Sequence, residues 1–460
     1  MTRTKRVINY LMTRNQSLIA NPRGGNYLIP FLLVTSLFFL WGFAHSLLDV
    51  LNKHFQEILG VSKAQSGLIQ AAVYGGYFFM AIPAGIFMKR FGYKKGILMG
   101  LMLYASGAFL FYPAIHIQAF WAFLVALFII ALGLTCLETA ANPYSTVLGP
   151  PDRSAQRLNL SQSFNGLGWV VGPIIGSIIL FATASGDNKF ASLAIPYIGI
   201  GVVVLVVAFL FFITKLPDID EAALQHTDQT VEEEKSASIA YKSLFHYPHF
   251  VFAVIAQFFY VAAQTGINSF FINYVTDIYQ NIPAGSIPGA NLMEKLTGFV
   301  GELNPGISDH QKLLNTTAGL MLSFSFGLFM AGRFLGSLLM TWIKPNRLLA
   351  VYALASLILT GLVVIGAGIY GIISLCMIYL FMSIMFPTIF ALGLRSLGSH
   401  TRRASSFIVM AIVGGAIFTP LMGLIADMSS MKTGFLVPLV CFAVVLWFAT
   451  RGYRMKTKIV

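Results

Sequence analysis

Charge is scarce in this chain: Asp, Glu, Lys and Arg make up 10% of its 460 residues, and acidic residues number 17 against 30 Lys and Arg. Apolar residues reach 57% and mean hydropathy is +0.76. That balance excludes an ordinary water-soluble domain, in which about 25% of residues are charged. Cysteine is nearly absent as well. Cys136, Cys376 and Cys441 all lie in apolar stretches at no metal-ligand spacing, so they read as small buried hydrophobes, and neither a metal nor an organic cofactor is expected. No nucleophile-base or metal-ligand constellation points to an enzyme. The first 27 residues are polar and basic, without the short apolar region and small-residue cleavage site of a cleaved signal peptide. The net charge of +13 falls in short clusters between apolar segments, not along a basic face interleaved with aromatics, and so does not point to nucleic acid.

What the chain does have is long apolar runs. Twelve of them, at about 28–52, 66–88, 94–113, 119–147, 158–183, 193–214, 247–274, 313–340, 347–368, 370–394, 404–426 and 433–451, match the length of a membrane-crossing helix. A β-barrel would instead need strands of about ten residues with alternating polarity. Forty-two glycines and 40 phenylalanines fit an all-helical membrane protein, whose solvent is the lipid bilayer. Every second loop is basic: Arg3 to Arg23 before span 1, Lys89 to Lys95 after span 2, Arg153 and Arg157 after span 4, and so on to Arg451–Lys458 at the end. By the positive-inside rule both termini are cytoplasmic. The most polar stretch, PDIDEAALQHTDQTVEEEKSAS, lies between spans 6 and 7. The expected organisation is a tail at 1–27, a six-helix half at 28–214, a cytoplasmic linker at 215–246, a second half at 247–451 and a tail at 452–460. GWVVGPIIG at 168–176 and GAIFTPLMG at 415–423 share Gly-x4-Pro-x2-Gly, and Gly76 and Gly85 have counterparts in Gly327 and Gly336, as a repeated half would require.

Polar side chains inside the runs are few, and therefore informative. Glu138 sits in CLETAANPY with no Lys or Arg in its own span. A carboxyl there either pairs with a distant cation or is neutral for part of a working cycle, because desolvation favours the protonated form. A group that is neutral when dry and ionised when wet can carry a proton. Asn142 follows one turn on, and Pro143 is expected to interrupt the helix. In span 1, Trp41, His45, Asp49 and Asn52 share one helical face. Asp49 is either a second proton carrier or a helix-end carboxylate reaching the interface. His45 is either a proton assistant to it or a hydrogen-bonded structural residue. Asn159, Gln162, Asn165 and Trp169 form one face of span 5, and Gln257, Tyr260, Gln264 and Asn268 form one face of span 7. Amides beside aromatics suit a polyhydroxylated ligand, since amides both donate and accept and rings cover the C–H faces of a sugar. The competing use of such amides is to cross-link helices.

At these residues the chain resembles a known family. LIPFLLVTSLFFLWGFAHSLLDVLNKHFQ, SGLIQAAVYGGYFFMAIPAGI, GLTCLETAANPYSTVLGP, RLNLSQSFNGLG, AQFFYVAAQT, FPTIFALGLRSLG and SSFIVMAIVGGAIFTPLMG are similar to stretches of the L-fucose/proton symporter family of the major facilitator superfamily, which also includes glucose/galactose permeases. The resemblance implies twelve helices in two halves that rock around a central site, Asp49 and Glu138 as the carboxylates that work with proton and sugar, and sugar-contacting amides at Gln162 and Asn165. With these go Glu138, Asn142, Gln264, Asn268 and Phe386 as expected substrate contacts. His45-Ser46 stands where the family carries an asparagine-rich stretch, Asn268 where a tryptophan is expected, and Met385-Phe386 where glutamine-tyrosine is expected. In GIFMKRFGYKKG, Lys89 replaces the aspartate of the superfamily loop signature.

The expected function is proton-coupled symport of L-fucose by a monomer of the plasma membrane, a bacterial inner membrane by the resemblance. A glucose or galactose permease is the first alternative. Sodium is an alternative coupling ion, because carboxylates and amide carbonyls also suit alkali cations. A transporter-like sugar sensor is a further alternative, as is export of a drug or metabolite, against which the amide faces argue. The external segment 276–312 is expected to be a loop, with a lid over the entrance as one use for it.

Overall fold

A computed structural model describes residues 19, 27–150, 154–182, 190–216, 244–280, 290–303, 309–395, 397 and 401–454. Eleven helices are long and apolar enough to cross a membrane, and Ser154–Ala182, 29 residues long, is the twelfth. In chain order they are α1 (Leu28–Leu59), α2 (Lys63–Phe91), α3 (Tyr93–Ile117), α4 (Phe120–Val147), α5 (Ser154–Ala182), α6 (Ala191–Ile213), α7 (Pro248–Gln280), α8 (His310–Leu339), α9 (Pro345–Ile365), α10 (Ile369–Gly393), α11 (Phe407–Met428) and α12 (Met431–Gly452). No strand occurs among the described residues. The two halves meet mainly where α2 packs on α11 and α5 packs on α8. These two pairs exchange when the halves are exchanged, which is the packing a repeated six-helix unit produces. The Gly-x4-Pro-x2-Gly segments lie in α5 and α11, at or beside those seams. Gly85 and Gly327, by contrast, face open space, so that part of the sequence repeat has no packing counterpart.

Several helices outrun their apolar segments. At about 1.5 Å per residue, a 32-residue helix is about 48 Å long, well beyond the hydrocarbon layer. The polar residues Asn52 to Glu57 therefore continue α1 where the apolar count had stopped at 52. A left-handed Gly60 (φ 64°) ends it. Ser62 and Gln65 form a reciprocal capping box that starts α2. Likewise α7 runs on to Gln280, and the segment expected as a loop at 276–312 contains a short helix, Ala290–Leu303, resting on the start of α8. Pro143 does not interrupt α4, which continues to Val147; a proline inside a membrane helix is tolerated where neighbouring groups can satisfy the carbonyl it frees. The break comes instead in α10, at Ser383–Ile384. Pro387 has no N–H to offer the carbonyl four residues back, that of Ser383, and its ring crowds that carbonyl. Most of the expected linker, 217–243, lies outside the described residues.

At the end of the bundle remote from the start of α1, the halves are sealed. The Asp427 carboxylate, at the end of α11, accepts hydrogen bonds from the backbone N–H of Lys63 (3.1 Å) and of Ala64 (2.8 Å) at the start of α2. Lys63 pairs with Asp277 of α7 at 3.5 Å. Asn273 of α7 donates to Gln56 of α1 at 2.6 Å, and Asn315 of α8 donates to Glu57 at 2.6 Å. Gly67 and Gly423 let α2 and α11 touch backbone to backbone. At the opposite end no hydrogen bond or ion pair joins the halves among the described residues. A carboxylate on exposed helix-start N–H groups is worth about 1 kcal/mol, so Asp427→Ala should raise the open population of the sealed end about five-fold. A cysteine replacing Thr419, fully buried beneath the seal, should then be alkylated faster by a membrane-impermeant reagent. An unchanged rate would show that Asp427 does not hold the seal.

Candidate functional site

The expected site residues fall on α1, α4 and α5 in one half and on α7 and α10 in the other. Glu138 is half-buried at a crevice between α1 and α4 lined by Leu37, Phe38, Trp41, Leu137 and Ala141. The crevice is too narrow to admit a sugar as it stands. One turn along α4, the Asn142 amide donates to the Glu138 backbone carbonyl at 3.1 Å and accepts from Gln162 of α5 at 3.2 Å. Glu138, Asn142 and Gln162 thus form one chain of polar groups. Asn165 is spent differently: its amide donates to the Phe38 carbonyl at 3.0 Å, and Gly42 of α1 packs directly against it. It ties α5 to α1 beside the crevice. The side chain of Asn159 lies outside the described residues.

Asp49 is almost completely buried. One of its oxygens accepts from Gln70 of α2 at 3.1 Å, and the other has no partner. Among the described residues neither Asp49 nor Glu138 has a cation within ion-pair distance. Burying a carboxylate with a single neutral donor is costly. The polar face of α1 does not end there. Asn52 accepts from Gln56 at 3.0 Å, and Gln56 also donates to Ser66 of α2 at 2.9 Å, which carries the face into the seal described above. His45 lies within 2.9 Å of the Tyr77 hydroxyl and stacks on Trp169 at 5.7 Å, with Trp41 edge-on at 6.2 Å. Trp169 in turn meets Phe326 of α8 across the seam at 4.9 Å.

In the other half Gln264 is half-buried and Asn268 buried, with the Asn268 carbonyl oxygen unpartnered. Phe386 is half-buried just past the break in α10, edge-on to Tyr260 of α7 at 6.3 Å, and the Tyr260 hydroxyl donates to the Met382 carbonyl at 3.0 Å. The structure therefore brings Glu138, Asn142, Gln162 and Asn165 together, and separately groups Phe386 with Tyr260. It does not join Asp49 directly to Glu138.

Three partners were missed from the sequence. Gln70, Tyr74 and Tyr77 recur at spacings of four and three in α2, which puts them on one face. Gln70 and Tyr77 hold Asp49 and His45, while Tyr74 reaches across to Gly415 of α11. The helical spacing was the available signal.

Residues 34–420 match the Major Facilitator Superfamily. The chain is 40% identical over 451 residues to the L-fucose-proton symporter of Escherichia coli K12, covering 94% of each chain. It is 35% identical over 432 residues to a glucose/galactose transporter of Brucella abortus, covering 93% of this chain and 95% of that one. Among solved structures it is similar to a major facilitator superfamily transporter, FucP, in the outward conformation, with TM-score 0.62, 39% identity, and coverage of 93% of this chain and 99% of that one. A bacterial homologue of the lysosomal transporter Spinster, inward-facing and occupied, gives TM-score 0.66 at 13% identity over 92% of this chain and 96% of that one, a likeness of fold alone. Taken with the twelve-helix bundle and its exchanged seams, these matches place this multi-pass membrane protein in the major facilitator superfamily, in the family of L-fucose-proton symporters and glucose/galactose transporters.

Proposed function

We propose that this protein is a proton-driven monosaccharide symporter, with L-fucose as the first substrate to test. The observation that carries the reading is Glu138: a carboxyl at a crevice between two membrane helices, without a cation among the described residues, one turn from Asn142, which bonds the Glu138 backbone carbonyl and accepts from the Gln162 amide. Such a group can take a proton when wet and be buried once neutral. The polar groups beside it offer both donors and acceptors to sugar hydroxyls.

In this reading both termini are cytoplasmic and the sealed end faces outward. Protonation of Glu138 and Asp49 with sugar loaded leaves no ionised carboxylate in the cavity, so the outer end can close without stranding one away from water. Opening of the inner end then rehydrates Glu138, and proton and sugar leave together. A relative solved in the outward conformation and an outer end sealed in this chain support a bundle that rocks between two arrangements. We place the monomer in a bacterial inner membrane.

The test is alkalinisation of the medium when L-fucose is added to sodium-free proteoliposomes holding the protein, repeated with D-galactose and D-glucose. A response to L-fucose supports proton symport of that sugar. A response only to a hexose keeps the mechanism and assigns the permease substrate of the second group of relatives. No response without sodium, but uptake with it, would replace the coupling ion.

A further inference from the structure

The half built from α7 to α12 contributes one charged side chain to the inside of the bundle that the reading above does not use. Arg333 lies in α8 one turn past Met330, and an arginine so far inside a membrane helix is a candidate for a functional site. Among the described residues no carboxylate lies within ion-pair distance of it. Its Nε donates to the Ser383 carbonyl at 3.5 Å, the one that Pro387 leaves without a donor, and its guanidinium lies 5.1 Å from the Phe329 ring centroid. Both contacts hold the stem and one edge of the group. The two terminal nitrogens make no hydrogen bond to described residues, and the side chain is exposed.

Its depth follows from the seam. α5 and α8 run antiparallel: the Ser323 hydroxyl donates to the Val170 carbonyl, Phe326 meets Trp169, and Met330 covers Gly166. Continuing that register by one turn sets Arg333 level with Gln162 and Ser163. Arg333 and the Glu138–Asn142–Gln162 chain therefore stand at similar depth in opposite halves.

We propose that Arg333 is a substrate-binding residue, whose two terminal amino groups donate to a pair of neighbouring sugar hydroxyls while the Glu138 side of the cavity accepts from the same sugar; this rests on the symporter reading. A hydroxyl both donates and accepts, so a diol gripped between an acceptor wall and a planar fork of donors satisfies both sides. The fork also discriminates, because a sugar lacking either hydroxyl leaves a charged donor unpaired. Fixed against the break in α10, the guanidinium follows any shift of that helix.

The experiment is competition against labelled L-fucose exchange in proteoliposomes, with L-fucose and its 2-, 3- and 4-deoxy forms as competitors, on the wild type, Arg333→Ala and Arg333→Lys. If the wild type exchanges D-galactose or D-glucose instead, the deoxy series of that hexose is used. In the wild type two neighbouring deletions should weaken competition about ten-fold or more. In Arg333→Ala the parent sugar should weaken to a similar degree, and those two penalties should fall below about two-fold. Arg333→Lys, keeping charge without the fork, should retain at most one of them. Deoxy penalties that stay unchanged in both variants would overturn the proposal and leave Arg333 only pinning α10. Should Arg333→Ala fail to assemble, the lysine variant decides alone. A wild type that exchanges no monosaccharide would instead sink the symporter reading.

Discussion

Glu138→Gln should abolish accumulation of sugar against its gradient while leaving sugar exchange across the membrane intact. One proton crossing 100 mV supplies about 2.3 kcal/mol, which corresponds to an accumulation ratio of about 50-fold. Glutamine has the shape of the protonated acid but cannot release a proton, so the variant can close and rock while the ratio falls to about one. The wild type should transport faster as the outside is acidified, because the neutral acid is the form that permits closure; the variant should be flat across the same range. Measuring both uptake under an imposed proton gradient and equilibrium exchange separates loss of coupling from loss of folding. Undiminished accumulation in the variant would remove Glu138 from the mechanism. Asp49→Asn should also impair coupling, and since Gln70 donates to Asp49, an asparagine carbonyl at that position can keep the contact.

Gly67→Val should trap the transporter with its sealed end open. A side chain at Gly67 would meet the Pro420 backbone at 2.7 to 2.8 Å, and neither backbone can yield without parting α2 from α11. Overpacking of this kind costs about 1–3 kcal/mol, and it falls only on the sealed arrangement. The cost shifts the equilibrium between arrangements by about 5- to 150-fold. Transport should fall in proportion, while a cysteine at Thr419, buried beneath the seal, should be alkylated faster by a membrane-impermeant reagent. Normal transport rates in Gly67→Val would mean that the α2–α11 contact is not part of the cycle. Asp427→Ala acts in the same direction more weakly, because it removes two hydrogen bonds at an exposed edge and leaves the packing whole.

The twelve spans were legible because a bilayer imposes a length and a polarity that composition reports directly. Where helices leave the bilayer that signal stops, and the ends of α1 and α7 were read short for this reason. Glu138 and Asp49 stood out as carboxylates inside apolar runs. Their partners did not, because Gln70 meets Asp49 only once α1 and α2 are packed. Asn165 shows the opposite difficulty: an amide on a polar face reads the same whether it meets a ligand or, as in this fold, a Phe38 carbonyl. The break in α10 had its signal in Pro387, and Arg333 had its own in being a lone cation within an apolar run. Reading the two together required knowing that α8 lies against α10.

The contact between Asp427 and the start of α2 has a consequence for how such a protein diverges. The carboxylate bonds to backbone N–H groups, which residues 63 and 64 present whatever their side chains. No compensating change at those two positions is needed to keep it, so the contact should leave no trace of paired substitution in a family alignment. Of the ordinary replacements at those sites, only proline withdraws a donor. The closing of the sealed end is thus free to persist through long sequence drift on the α2 side, while the acid at 427 carries the whole requirement.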